Sequence, residues 1–115
     1  MLIPSDMVRL SVALRAASAR DATELLETLR FLMTTTRLEP GCLDCTAWTE
    51  RDLTVNYSEG WATELDARRR VRSSGFTSLL SVMECASEPP RVQFDFVTQT
   101  RGLDFVEEVR SGVRE

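Results

Sequence analysis

Histidine and lysine are both missing from this chain of 115 residues, and all 14 of its basic residues are arginine. Without histidine it lacks the usual general base near neutral pH and the commonest side-chain metal ligand. Without lysine no Schiff base can form on a side-chain amine. Arginine holds its proton, so it can clamp anions but is a poor proton shuttle. Any acid–base step falls to carboxylates, thiols, the single tyrosine Tyr57 or water.

Other absences narrow the classes further. No apolar run approaches the roughly 20 residues that span a bilayer. Residues 1–6 show no positive stretch followed by an apolar one, so no secretory signal is expected. Three cysteines make an odd count and point to the reducing cytoplasm rather than to a disulfide framework. A net charge of −4 argues against bulk attraction to nucleic acid. What is present suits one small domain. With 43% hydrophobic residues the chain can build a core, but a chain this short gains from pairing with a second copy.

Val8, Leu10, Val12 and Leu14 alternate with polar or small residues, which predicts a strand with one buried face. Ser18 stands three residues before Asp21, close to a capping box. Ala22, Leu25, Leu26, Leu29, Leu32 and Met33 then recur at helical spacing, and the helix is expected to fade through Thr34–Thr36. Glu39-Pro40-Gly41 ends it. A second strand is expected from Cys42 to Glu50, with Leu43, Cys45 and Ala47 on one face and Trp48 on the other. Arg51-Asp52 suggests a hairpin into a third strand, where Leu53, Val55, Tyr57, Glu59 and Trp61 share a face. A carboxylate in that apolar and aromatic row is unusual.

Thr63 can cap a helix through Arg72, and Ser73-Ser74-Gly75 marks a break. Phe76, Leu79, Leu80 and Met83 set a further helix, Glu88-Pro89-Pro90 stops it, and Val92, Phe94 and Phe96 alternate as a fourth strand. Beyond Gly102, the residues Leu103, Val106, Val109 and Arg110 suggest a terminal helix. The expected organisation is an extension at 1–6, a domain at 7–110 and a tail at 111–115. The order β-α-β-β-α-β plus a helix is that of a ferredoxin-like α+β subunit. Its sheet would have one face under helices and one left for a twin molecule, which predicts a homodimer.

Several local runs, in order, resemble the antibiotic biosynthesis monooxygenase family over Val8 to Arg110. They are Pro40-Gly41-Cys42, Tyr57-Ser58-Glu59-Gly60-Trp61, Ser73 with Phe76 and Leu79-Leu80, Met83-Glu84, Pro89-Pro90, and Gly102-Leu103-Asp104-Phe105-Val106. The resemblance implies a dimeric α+β barrel with a pocket in each subunit between sheet and helices. It also implies oxygenases that use molecular oxygen on phenols or quinols with no metal and no flavin, beside relatives with no established reaction. The chain departs from the family at two positions where histidine is frequent: Arg70 stands at one and Gly75 at the other. Haem-degrading relatives need an axial histidine, so haem is not expected here.

The candidate residues follow from that comparison, each with a plainer alternative. Trp61 and Phe76 would wall a pocket for a flat aromatic ligand, or simply fill the core. Tyr57 and Glu59 would bind a phenol or quinol and take its proton, or Glu59 would sit at a strand end, partly exposed and paired with an arginine. Arg70 would hold an anionic substrate or intermediate. Neighbouring helical residues point about 100° apart, so Arg68, Arg69 and Arg70 cannot all line one site, and such a run is usually a solvated face. Cys42 and Cys45 form C-x-x-C, yet extended residues so spaced lie roughly 10 Å apart. With Cys85 as the only other thiol, a structural zinc site lacks ligands. Three functions remain in view: a cofactor-free monooxygenase acting on a quinol or polycyclic phenol, a non-catalytic small-molecule-binding or regulatory module, and a thiol sensor.

Overall fold

The computed structural model describes residues 7–98 and 102–112. Its elements are β1 (Met7–Arg15), α1 (Ala19–Thr36), β2 (Cys42–Thr49), β3 (Thr54–Trp61), α2 (Glu64–Val71), α3 (Ser74–Met83), β4 (Arg91–Val97) and α4 (Leu103–Arg110). The strands form one antiparallel sheet in the order β2-β3-β1-β4, the ferredoxin-like arrangement expected from the element order. The expected extension at 1–6 and residues 113–115 of the tail lie outside the described residues.

Strand β1 alternates as its sequence predicts: Val8, Leu10, Val12 and Leu14 are buried under the helices. The Ser18 hydroxyl accepts the Asp21 backbone N–H at 3.1 Å and starts α1. That helix buries Ala22, Leu25, Leu29 and Met33, which join Leu79, Val82 and Met83 of α3 in one core. Each fully buried leucine in that core stabilises the fold by about 1.5–3 kcal/mol. The helix does not fade at its threonines. The hydroxyls of Thr34, Thr35 and Thr36 donate to carbonyls three or four residues back, at 2.7, 3.1 and 2.9 Å, which places them without breaking the helix.

Strand β2 departs from simple alternation. Cys42 faces Trp61 across the ladder and Asp44 faces Gly60, so one residue is extra between them. This bulge throws Leu43 into solvent and turns Cys42 to the same side as Cys45. The expected pairing of Leu43 with Cys45 on the inner face is thereby corrected. Leu53 belongs to the turn rather than to β3: its φ is +70°, and its N–H donates to the Glu50 carbonyl at 3.2 Å. The break expected at Ser73-Ser74-Gly75 falls at its first residue: α2 ends at Val71, Ser73 caps α3, and Gly75 lies within that helix.

On β4 the register pairs Val92 with Val12, Phe94 with Leu10 and Phe96 with Val8, so all three share the helix-side face. Unlike their partners they remain 37–53% exposed. The other face of the sheet is largely polar, with Arg9, Ser11, Asn56 and Ser58 along its middle. There Arg9 makes two hydrogen bonds to Asp44, at 2.9 and 2.8 Å, and one to Ser58 at 2.7 Å. Among the described residues no helix is long and apolar enough to cross a membrane.

Candidate functional site

Alternation along β3 sends Val55, Tyr57, Glu59 and Trp61 to the helix side, where all four are at most 1% exposed. An unpaired carboxylate there would be costly, and its partner comes from α2. Thr63 caps that helix, its hydroxyl accepting the Asp66 backbone N–H at 3.1 Å. Helical spacing then turns the three adjacent arginines apart. Arg68 pairs with Glu64 at 2.6 Å and Arg69 with Asp66 at 3.0 Å on the outside, while Arg70 points inward and is 2% exposed.

The Glu59 carboxylate is held on every side. Arg70 donates from Nη2 to Oε2 at 2.7 Å and from Nε to both oxygens at 3.2 Å. The Trp61 indole N–H donates to Oε1 at 2.9 Å, and the Tyr57 hydroxyl donates to Oε2. Behind Tyr57, the Cys45 thiol donates to the phenol oxygen at 3.3 Å. On its far side Arg70 reaches Glu39 Oε2 at 3.0 Å and Thr36 Oγ1 at 3.2 Å, and its guanidinium carbon lies 5.7 Å from the centre of the Phe76 ring. No buried side-chain nitrogen or oxygen among the described residues lacks a hydrogen-bond partner.

Burial and the neighbouring Glu59 charge push the Tyr57 hydroxyl far above the usual phenol range, so it stays protonated and donates. For Arg70, burial pulls downward, but the hydrogen bonds and charge of Glu59 outweigh it and the net shift is upward. Burial also pushes the Cys45 thiol up to about 11. That direction opposes the lowered value a reactive thiolate needs. Cys42 is shifted up as well, by burial first and then by the Glu59 charge.

Tyr57, Glu59, Trp61, Arg70 and Phe76, singled out in the sequence, thus meet in one cluster. Glu59 is paired with an arginine, as its plainer alternative had it, but it is fully buried rather than partly exposed. Thr36, Glu39 and Cys45 complete the cluster and were not foreseen in it. Only Cys45 left a trace, as an inward-facing residue of β2. The three thiols are free, and no group of cysteine, aspartate and glutamate suited to a metal occurs among the described residues. One cleft of about 430 Å³ lies on the polar face of the sheet and is lined by Arg9, Ser11, Trp48, Asn56 and Gln93. None of the main clefts among the described residues is lined by Glu59, Trp61, Arg70 or Phe76.

This architecture defines a ferredoxin-like subunit with a buried carboxylate–arginine cluster between sheet and helices. The same fold occurs in a proposed antibiotic biosynthesis monooxygenase from Deinococcus radiodurans, with a TM-score of 0.72 and 18% identity over 83% of this chain and 96% of that one. A second protein so described, from Caulobacter crescentus, matches at 0.70 with 15% identity over 84% and 93%. A protein of unknown function from Bacteroides thetaiotaomicron, described as a possible oxidoreductase, matches at 0.70 with 17% identity over 82% and 99%. No protein-family model matches the chain, and no curated protein matches it.

Proposed function

We propose that the chain is a monooxygenase of the antibiotic biosynthesis type, working without a cofactor on a quinol or polycyclic phenol. The observation that carries this reading is the phenol already seated on Glu59, that of Tyr57. A substrate hydroxyl displacing Tyr57 would meet a desolvated carboxylate as proton acceptor, Arg70 to hold the resulting anion, and the Trp61 and Phe76 rings as flat walls. The substrate is its own reductant: phenol plus dioxygen gives quinone plus water, one oxygen atom entering the ring and the other leaving with two substrate hydrogens. The protein supplies orientation and a dry site. The shared fold and the names of the Deinococcus and Caulobacter proteins support the reading. It includes a second copy of the chain paired over the polar sheet face, and a cytoplasmic setting.

Oxygen uptake with a panel of hydroquinones and anthrones tests it. Uptake above the protein-free rate is expected, falling about 10²–10⁴-fold in Glu59→Gln. No uptake across the panel would remove the reading. One observation favours a second, non-catalytic reading as a ligand-binding module: both Glu59 oxygens are occupied and none of the main clefts reaches them. A ligand that raises the melting temperature and is recovered unchanged under air would select that one.

A further inference from the structure

Arg70 serves two carboxylates, and the two are unlike. Glu59 is 0% exposed and takes Nε and Nη2 of the guanidinium. Glu39 has 28% of its side chain in solvent and takes Nη1, at 3.0 Å. Every other member of the cluster is at most 6% exposed, so Glu39 is the one that joins it to solvent. The buried carboxylate already balances the Arg70 charge, which leaves Glu39 as a surplus anion.

The turn that carries Glu39 is lightly held. None of residues 37–41 is buried, and Leu38 is 83% exposed. Polar contacts fasten it: the Gly41 carbonyl accepts the Ala62 N–H at 2.8 Å, and the Pro40 carbonyl accepts from Arg69 at 3.4 Å. Segments with few buried apolar contacts open at the least cost. Beside this turn lies a cleft of about 400 Å³ lined by Arg37, Cys42, Asp44, Cys45 and Thr46. It adjoins the cluster, since Cys45 belongs to both and the charges of Glu59, Arg70 and Glu39 all act on the Cys42 thiol. Asp44 is taken by Arg9 at 2.8 Å, whereas Arg37 donates to the Cys45 carbonyl and has no ion pair among the described residues. A group that moves Glu39 aside therefore meets two cationic side chains, Arg37 and Arg70.

We infer that Glu39 holds the place of an acidic group of the ligand, and that the substrate is a phenol bearing a carboxylate. This rests on the reading of Glu59 as the seat of the phenol and names the substrate class of that same site. The exchange itself favours an acid. A carboxylate that arrives as Glu39 leaves keeps Nη1 paired and the number of charges in the cluster unchanged. A neutral phenol would strand that buried donor, at the full cost of its desolvation. Gly75 keeps the space beside Nη1 clear of any side chain, since a Cβ there would lie 2.7 Å from it. Tyr57 and Glu39 are then two placeholders, one for each end of the ligand.

The test is an NMR titration of the full chain under nitrogen, which prevents turnover. The three hydroxybenzoates and phenol are added to the wild type and to Glu39→Gln, with the two tryptophan indoles labelled. Glutamine keeps an acceptor for Nη1, so the fold is retained. The hydroxybenzoates should move the signal of Trp61, whose N–H lies on Glu59. The best of them should bind Glu39→Gln about tenfold or more tighter than the wild type, because its competitor for Nη1 is gone. Phenol should gain little. Acids that bind both proteins equally, phenol gaining as much as the acids, or a Trp61 signal that no acid moves would each overturn the inference. Oxygen uptake separates it from the reading beneath it. Uptake from neutral hydroquinones, with acid affinities indifferent to Glu39→Gln, removes the carboxylate inference alone. Acid affinities that respond, with no uptake across the panel, remove the oxygenase reading and leave the acid site standing.

Discussion

Gly75 and Arg70 share one space: a Cβ built on Gly75 would stand 2.7 Å from Nη1 of Arg70 and 3.4 Å from Oε2 of Glu39. The absence of a side chain at 75 is what lets the guanidinium lie between Glu59 and Glu39. Gly75→Ala should push Nη1 off Glu39 and destabilise the fold by about 1–3 kcal/mol. Combined with Glu39→Ala the loss should be less than additive in urea denaturation. Strict additivity would mean that the methyl group acts elsewhere.

Removing one partner of the central ion pair should cost more. Arg70→Met strands Glu59 in the core and is expected to destabilise by about 3–5 kcal/mol. Adding Glu59→Gln should recover much of that loss, since the stranded charge is then gone. Guanidinium unfolding of the three variants measures it, and a double variant as weak as Arg70→Met would contradict the stranded-charge account.

Tyr57 is the only tyrosine, which makes its ionisation directly visible. Burial and the Glu59 charge raise it in the fold, whereas an unfolded tyrosine ionises near 10. Its contribution to stability is therefore intact below about pH 10 and is lost as pH rises above that. Ultraviolet titration should show the tyrosinate band appearing together with loss of structure. A smooth step in a protein that remains folded would contradict its burial.

The three thiols should separate by rate. Cys85 is exposed, Cys42 is half-buried and shifted up, and Cys45 is buried and pushed up to about 11. Alkylation followed by mass spectrometry should label Cys85 first, Cys42 slowly, and Cys45 only on unfolding. Early labelling of Cys45 would revive a thiol role for the pair.

Asp44 gives the acid limb a defined sign. Its hydrogen bonds from Arg9 hold it below the usual carboxylate range. The contribution is present above the unfolded value near 3.9 and is lost as pH falls through the lowered folded value. Asp44→Asn should flatten the dependence of stability on pH below about 4. The pair is partly exposed, so solvent limits the size of the effect. An unchanged acid limb would remove Asp44 from that account.

Element order and the inward face of β3 were legible because both depend on periodicity, which short-range sequence carries. Glu59 stood out as a carboxylate in an apolar row, and Arg70 as the one arginine at a family histidine position. Leu43 was misjudged because a bulge depends on how two strands close across the Cys42–Trp61 rung, not on β2 alone. The break expected at Ser73-Ser74-Gly75 is where α2 gives way to α3, but the steric role of Gly75 was not legible, because it lies across space against a side chain five residues earlier. Thr36 and Glu39 joined the cluster through contacts with Arg70 spanning 34 and 31 residues, distances at which no spacing rule operates.

The two tryptophans stand on opposite sides of the sheet: Trp61 locked to Glu59 within the core, Trp48 half-open beside the cleft on the polar face. The molecule thus contains two built-in optical labels that see different worlds. A water-borne quencher reaches Trp48 first, so anything settling on that face dims or shields it. Trp61 stays dark to such visitors and changes colour only when the carboxylate beside it is disturbed.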